Sequence, residues 1–139
     1  MLNRVDILLT KESLIYGSKS GCEYKSGAIL VKDNVELSRA FNEKLTEINS
    51  KSERDLAIHA EAAAISKCTS AGISTLGATI YSSRFPCLNC AFLLYKSGIK
   101  RVFYYYNHIS TNNEALPFLT SVGVECINVT DADFASIAE

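Results

Sequence analysis

The sequence predicts an α/β domain with a five-stranded mixed sheet whose fourth and fifth strands run parallel. Three observations carry that expectation. Helix-like and strand-like hydrophobic patterns alternate along the chain. The first two strand-like runs are joined by Asp33-Asn34, a pair that tolerates the positive φ of a tight hairpin, so these strands pair antiparallel. A helical pattern separates the fourth run from the fifth, and a crossover of that kind brings the chain back parallel.

Taken in order, Val5, Leu8, Leu9, Ile15 and Tyr16 fall near one face of a helix over 3–16, which predicts an amphipathic opening element. Residues 27–32 and 35–41 read as the hairpin strands. The polar stretch 42–58 reads as a long loop, a length that usually marks a functional or a disordered segment. An alanine-rich run from Leu56 to Cys68 follows the polar residues Ser52 and Asp55 and permits a helix start there. Residues 78–83 form the third strand, 87–97 a second helix and 101–106 the fourth strand. Ala115, Phe118, Leu119 and Val122 sit at i, i+3, i+4 and i+7, which predicts a helix over 113–122, and Pro117 sets its start no earlier than about 113. Residues 124–129 close the sheet as the fifth strand.

At 139 residues the chain reads as one domain, 1–139, large enough to bury roughly two-thirds of its unfolded surface. Its 47% hydrophobic and 21% charged residues are ordinary for a soluble protein. The opening Met1-Leu2-Asn3-Arg4-Val5-Asp6 lacks the apolar core of a signal peptide, and no run approaches a membrane span, so the expected location is the cytoplasm. Net charge is −1 with the signs interspersed, which disfavours polynucleotide binding and favours a small-molecule ligand. Five cysteines without an export signal point to metal ligands or free thiols, and Cys22, Cys68 and Cys126 read as buried or half-buried thiols.

The chemistry concentrates in His59-Ala60-Glu61 and Pro86-Cys87-Leu88-Asn89-Cys90. Together these supply three soft metal ligands, one short of a closed structural site, and one spare carboxylate, which points to metal-assisted hydrolysis. Cys87 and Cys90 are three apart and share a helix face, with Pro86 suited to a first turn. Thiolates at a helix N-terminus are favoured by its partial positive charge. His59 and Glu61, two apart, would splay by about 200° on a regular helix. They converge only if the helix begins at that point. The competing readings are a redox pair, a four-cysteine structural site drawing on Cys22, Cys68 or Cys126, and Glu61 as a solvated helix residue.

His-x-Glu followed by Pro-Cys-x-x-Cys resembles the zinc-dependent nucleobase deaminases. Ser83-Arg84-Phe85-Pro86-Cys87-Leu88-Asn89-Cys90-Ala91 and Ser97-Gly98-Ile99-Lys100-Arg101-Val102 are most similar to the deoxycytidylate deaminases within the cytidine/deoxycytidylate deaminase superfamily. The resemblance implies a three-layer α/β/α cytidine-deaminase-like fold, Zn2+ held by His59, Cys87 and Cys90, and Glu61 as the proton carrier. It implies deamination of a cytosine nucleotide, dCMP to dUMP plus ammonia, in a homo-oligomer. Asn42 matches the family's sugar-binding asparagine, although Ala40-Phe41-Asn42-Glu43-Lys44 stands where that family carries Tyr-Asn-Gly-x-Pro. Ala60, Ser83, Phe85, Arg54, Tyr106 and His108 complete the expected substrate contacts. Lys44, Lys51, Arg54 and Arg84 are the cations available for a 5′-phosphate. Other cytosine substrates, a base in RNA or DNA, and a non-catalytic zinc-stabilised subunit remain as alternatives.

Overall fold

In a computed structural model, which describes residues 2–46, 56–107 and 114–138, the helices are α1 (Arg4–Gly17), α2 (Ala60–Ser70), α3 (Leu88–Lys96), α4 (Ala115–Ser121) and α5 (Asp131–Ser136). The strands are β1 (Gly27–Lys32), β2 (Val35–Phe41), β3 (Glu43–Lys44), β4 (Ala57–Ile58), β5 (Thr79–Arg84), β6 (Arg101–Tyr106) and β7 (Glu125–Asn128). The main sheet has the order β2-β1-β5-β6-β7. β1 pairs antiparallel with β2 and with β5, whereas β5, β6 and β7 run parallel. Helices α3 and α4 supply the two crossovers, as the alternating pattern requires. Asp33 and Asn34 have φ of 51° and 64°, so the hairpin turn adopts the left-handed geometry its sequence predicts.

The sheet lies between two helical layers. One core joins Leu30, Ile80, Val102 and Tyr104 to Ala64, Ile65, Leu94 and Leu119 of α2, α3 and α4. On the opposite face Ile29, Tyr81, Phe103 and Val129 pack with Ile7 of α1 and, less deeply, Phe134 and Ile137 at the C-terminal end. The zinc-motif helices thus share one side of the sheet.

Four expectations change. First, α1 docks through Asp6, Ile7, Thr10, Ser13 and Gly17, while Val5, Leu8 and Ile15 of the predicted apolar face are exposed. Close approach explains the reversal. A Cβ on Gly27 would lie 2.1 Å from the Ser13 carbonyl oxygen, and one on Gly17 would lie 2.6 Å from the Gly27 nitrogen. Only small side chains fit there, and their polar groups bond within the fold: the Tyr81 hydroxyl donates to Asp6 Oδ1 at 2.6 Å, and Thr10 donates to the Asp6 carbonyl at 2.9 Å. Second, the ends of the 42–58 loop form a small antiparallel ribbon, Glu43 opposite Ile58 and Lys44 opposite Ala57. Leu45 N–H extends it by donating to the Leu56 carbonyl at 3.1 Å. Third, Cys87 caps α3 rather than lying inside it, which puts Pro86 before the helix. Fourth, α5 was not anticipated, although Thr130-Asp131-Ala132-Asp133 carries its capping box: the Thr130 hydroxyl accepts from Asp133 N–H and the Asp133 carboxylate from Thr130 N–H.

Candidate active site

α2 and α3 both begin at the same place. His59 is the N-cap of α2, with φ −72° and ψ 152°, so its side chain leaves the chain before the helical spiral begins. That break lets His59 and Glu61 converge although they are two residues apart. Glu61 lies in the first turn, where helix N–H groups lack internal partners. Cys87 is the N-cap of α3, and its sulfur accepts from Cys90 N–H at 3.5 Å.

His59 Nδ1 lies 3.5 Å from Cys87 Sγ and 3.4 Å from Cys90 Sγ. All three ligand atoms lie within 4.8 Å of one another. A tetrahedral zinc with metal–nitrogen bonds near 2.0–2.1 Å and metal–sulfur bonds near 2.3 Å separates such atoms by about 3.5 Å. The donor set therefore fits Zn2+ with a position left over. Among the described residues this is the cluster with metal-ligand geometry. Cys22 and Cys68 are buried elsewhere and Cys126 is half-buried, so none joins it, and the four-cysteine alternative finds no support.

The electrostatics are those of crowded ligands. Cys87 is pulled down to about 4, chiefly by the hydrogen bond from the Cys90 thiol, with His59 adding to it. Cys90 is pushed up by the Cys87 sulfur and then by burial. His59 is raised by its bond to Cys87 and by the charges of Cys87 and Glu61. A divalent cation would hold these groups as two thiolates and a neutral imidazole. Glu61, 4% exposed, is pushed up to about 7 by burial, against the opposing pull of its own backbone N–H, His59 and Arg84.

The expected substrate residues distribute unevenly. Ala60 is fully buried beside His59. Ser83 is 2% exposed, and its hydroxyl accepts from Gly27 N–H at 2.9 Å and lies 3.3 Å from the Ser26 hydroxyl. Phe85 packs edge-on against Tyr104, with ring centroids 4.7 Å apart. Asn42 Oδ1 accepts from Ser26 N–H at 2.8 Å and its Nδ2 donates to the Tyr24 carbonyl at 2.6 Å. Tyr106 is 45% exposed, with the Arg84 guanidinium 5.1 Å from its ring centroid. Lys44 is exposed on β3. Lys51, Arg54 and His108 lie outside the described residues. Lys25 was not anticipated. It belongs to no motif, and only the pairing of β1 with β5 brings its carbonyl to Arg84 Nε, at 3.0 Å.

Residues 8–106, well over half of the chain, match the family model for the cytidine and deoxycytidylate deaminase zinc-binding region. The chain belongs to that family. Among its relatives, the deoxycytidylate deaminase of Enterobacteria phage T2 is 30% identical over 129 residues, 93% of this chain and 64% of its own length. That of Mycobacterium phage D29 is 32% identical over 107 residues, 62% of this chain and 82% of the relative. The chain thus spans less than two-thirds of the T2 deaminase. The crystal structure of dCMP deaminase from cyanophage S-TIM5 superposes with a TM-score of 0.80 at 23% identity, covering 93% of this chain and all of the other. That deaminase fold is the three-layer α/β/α arrangement expected from the motifs. No helix among the described residues is long and apolar enough to cross a membrane.

Proposed function

We propose that this protein is a zinc-dependent deaminase of cytosine nucleotides, converting dCMP to dUMP and ammonia. The observation that carries the proposal is the buried Glu61 carboxyl beside a three-ligand His59/Cys87/Cys90 set. A structural metal site has no use for that carboxylate. The substrate assignment is supported by the phage relatives, named deoxycytidylate deaminases, and by the S-TIM5 enzyme, whose fold this chain shares and which has been crystallised with dCMP and dUMP.

His59, Cys87 and Cys90 would hold the ion, and zinc there supplies the Lewis acidity that makes water nucleophilic near neutral pH. Glu61 accepts the proton that water gives up on attacking the amine-bearing carbon of the ring. It delivers that proton to the adjacent ring nitrogen, and a second transfer lets the amine leave as ammonia. Water and cytosine become uracil and ammonia, with no other reactant needed. Burial shields Glu61 from bulk water, so the proton it takes is passed to the ring rather than lost to solvent.

The test compares wild type with Glu61→Ala for ammonia release from dCMP, dCTP, cytidine, deoxycytidine and adenosine, with zinc content measured alongside. The expected outcome is turnover of dCMP by the wild type and a loss of about 10²–10⁴-fold or more in the variant with zinc retained. A variant with near-normal rate removes Glu61 from the chemistry. Silence of the zinc-loaded wild type across the panel favours a polynucleotide substrate or a non-catalytic subunit.

The same reading includes a homo-oligomer located in the cytoplasm. Phe92 and Tyr95 of α3 and Leu116 of α4 are exposed, and Phe118 stacks edge-on against both aromatic rings, which leaves an apolar patch of the kind that association covers. Light scattering at micromolar concentration should give a multiple of the 15.2 kDa chain mass, and a monomeric mass refutes this.

A further inference from the structure

Residues 18–26, between α1 and β1, carry no helix or strand. One residue outside this segment holds it by four hydrogen bonds. Asn42, directly after β2, donates its backbone N–H to the Ser26 carbonyl at 3.0 Å and accepts the Ser20 hydroxyl on its own carbonyl at 2.7 Å. Its carboxamide makes the other two, Oδ1 accepting from Ser26 N–H at 2.8 Å and Nδ2 donating to the Tyr24 carbonyl at 2.6 Å. Ser20 and Ser26 are buried, so water is a poor replacement for these partners. The segment is in turn fastened to the strand that leads to Cys87. Gly27 N–H donates to Ser83 Oγ at 2.9 Å, the Ser26 and Ser83 hydroxyls lie 3.3 Å apart, and the Lys25 carbonyl accepts from Arg84 Nε at 3.0 Å. Ser83 and Arg84 end β5, and only Phe85 and Pro86 separate them from Cys87.

We propose that Asn42 is a positioning residue for the deamination, which acts through the 20–26 segment on the placement of Cys87 relative to His59 and Glu61, and not a direct contact to the sugar. This inference rests on the deaminase reading. Both ends of the carboxamide are oriented by backbone groups of the segment, and turning Oδ1 away toward a sugar hydroxyl would strand the Ser26 N–H in a buried place. Cys87 has little freedom of its own. Pro86 has a locked φ, and Phe85 is held by its ring against Tyr104 and by its N–H, which donates to the Tyr106 carbonyl at 2.8 Å. The end of β5 therefore carries Cys87 with it. A displacement there disturbs the ligand set and the carboxylate together, and catalysis is steeply sensitive to such misplacement.

The experiment compares wild type, Asn42→Ala and Ser20→Ala, the last of which removes one of the four bonds from the segment side. Values of kcat and KM on dCMP are expressed per folded, zinc-bearing chain. Hydrogen exchange across 20–26 is followed by mass spectrometry with and without saturating dUMP. Both variants are expected to lose kcat, about 10–100-fold for Asn42→Ala and a smaller factor for Ser20→Ala, with faster exchange across 20–26 in each. In the wild type, dUMP should leave that exchange unchanged or slow it. Ser20→Ala deletes a single hydroxyl, so it carries the test even if Asn42→Ala folds poorly. A loss confined to Asn42→Ala, or exchange across 20–26 that quickens when dUMP binds, marks a direct sugar contact and overturns the inference. Unchanged kcat in both variants reduces Asn42 to a stability residue and overturns it as well. Each of these results leaves the deaminase reading standing. A zinc-loaded wild type that does not turn over dCMP overturns that reading and the inference with it.

Discussion

Asn42 bridges a loop that has no other regular structure. Its carboxamide accepts from Ser26 N–H and donates to the Tyr24 carbonyl, while its backbone carbonyl accepts from the Ser20 hydroxyl at 2.7 Å. Replacing it with alanine leaves two backbone groups of that loop without these partners, at roughly 1–3 kcal/mol. We expect Asn42→Ala to lower the urea midpoint by a matching amount, and an unchanged midpoint would sink this account. The motif match marked Asn42 as a candidate site residue; its clamp on Tyr24 and Ser26 was not legible, because residues 18 and 16 positions apart meet only after β1 and β2 have paired. Glu61, His59, Cys87 and Cys90 were legible for the opposite reason. Each pair lies within one helical turn, so sequence spacing nearly determines their geometry, whereas the Lys25 carbonyl reaches Arg84 across 59 residues.

Among the elements, α1 shows how a period can be read correctly and its face wrongly. The helix runs from Arg4 to Gly17, close to expectation, yet hydrophobicity chose the outer side. The inner side is set by contact distance at Gly17 and Gly27 and by the Tyr81–Asp6 hydrogen bond, with Arg101 Nη2 4.0 Å from the same carboxylate. Removing the hydroxyl with Tyr81→Phe deprives the buried Asp6 carboxylate of its short donor and should cost about 1–3 kcal/mol. Thermal unfolding reads this out; a variant as stable as wild type would show that the bond does not hold α1 to the sheet. The β3–β4 ribbon was invisible for a related reason. Two-residue strands carry no periodicity, and their pairing depends on bringing Leu45 to Leu56, which are far apart in the sequence.

For the molecule as a whole, the shifted thiol and phenol outside the site predict where stability fails. Burial pushes Cys126 up to about 11, with Glu125 adding to it, and burial followed by the Asp6 hydrogen bond raises Tyr81. A raised folded-state value means the native protein holds its proton more tightly than the unfolded chain does. The contribution is therefore complete below the unfolded value, near 9 for a thiol, and is lost as pH rises toward 11. Thermal midpoints should fall from pH 8.5 to pH 10.5, with a smaller fall in Cys126→Ala. An identical pH profile for that variant would remove Cys126 as a cause.

The sequence by itself determined the order of the principal α and β elements, the hairpin turn at Asp33-Asn34 and the ligand-and-carboxylate set, since these depend on periodicity, on local φ and on spacings of two or three residues. Only the tertiary structure decided which face of α1 is inside, that Leu45 pairs with Leu56, that α2 and α3 aim their N-termini at one point, and that the Lys25 carbonyl meets Arg84. Those outcomes depend on contact distances and register between segments far apart in the chain, and no local pattern encodes such distances.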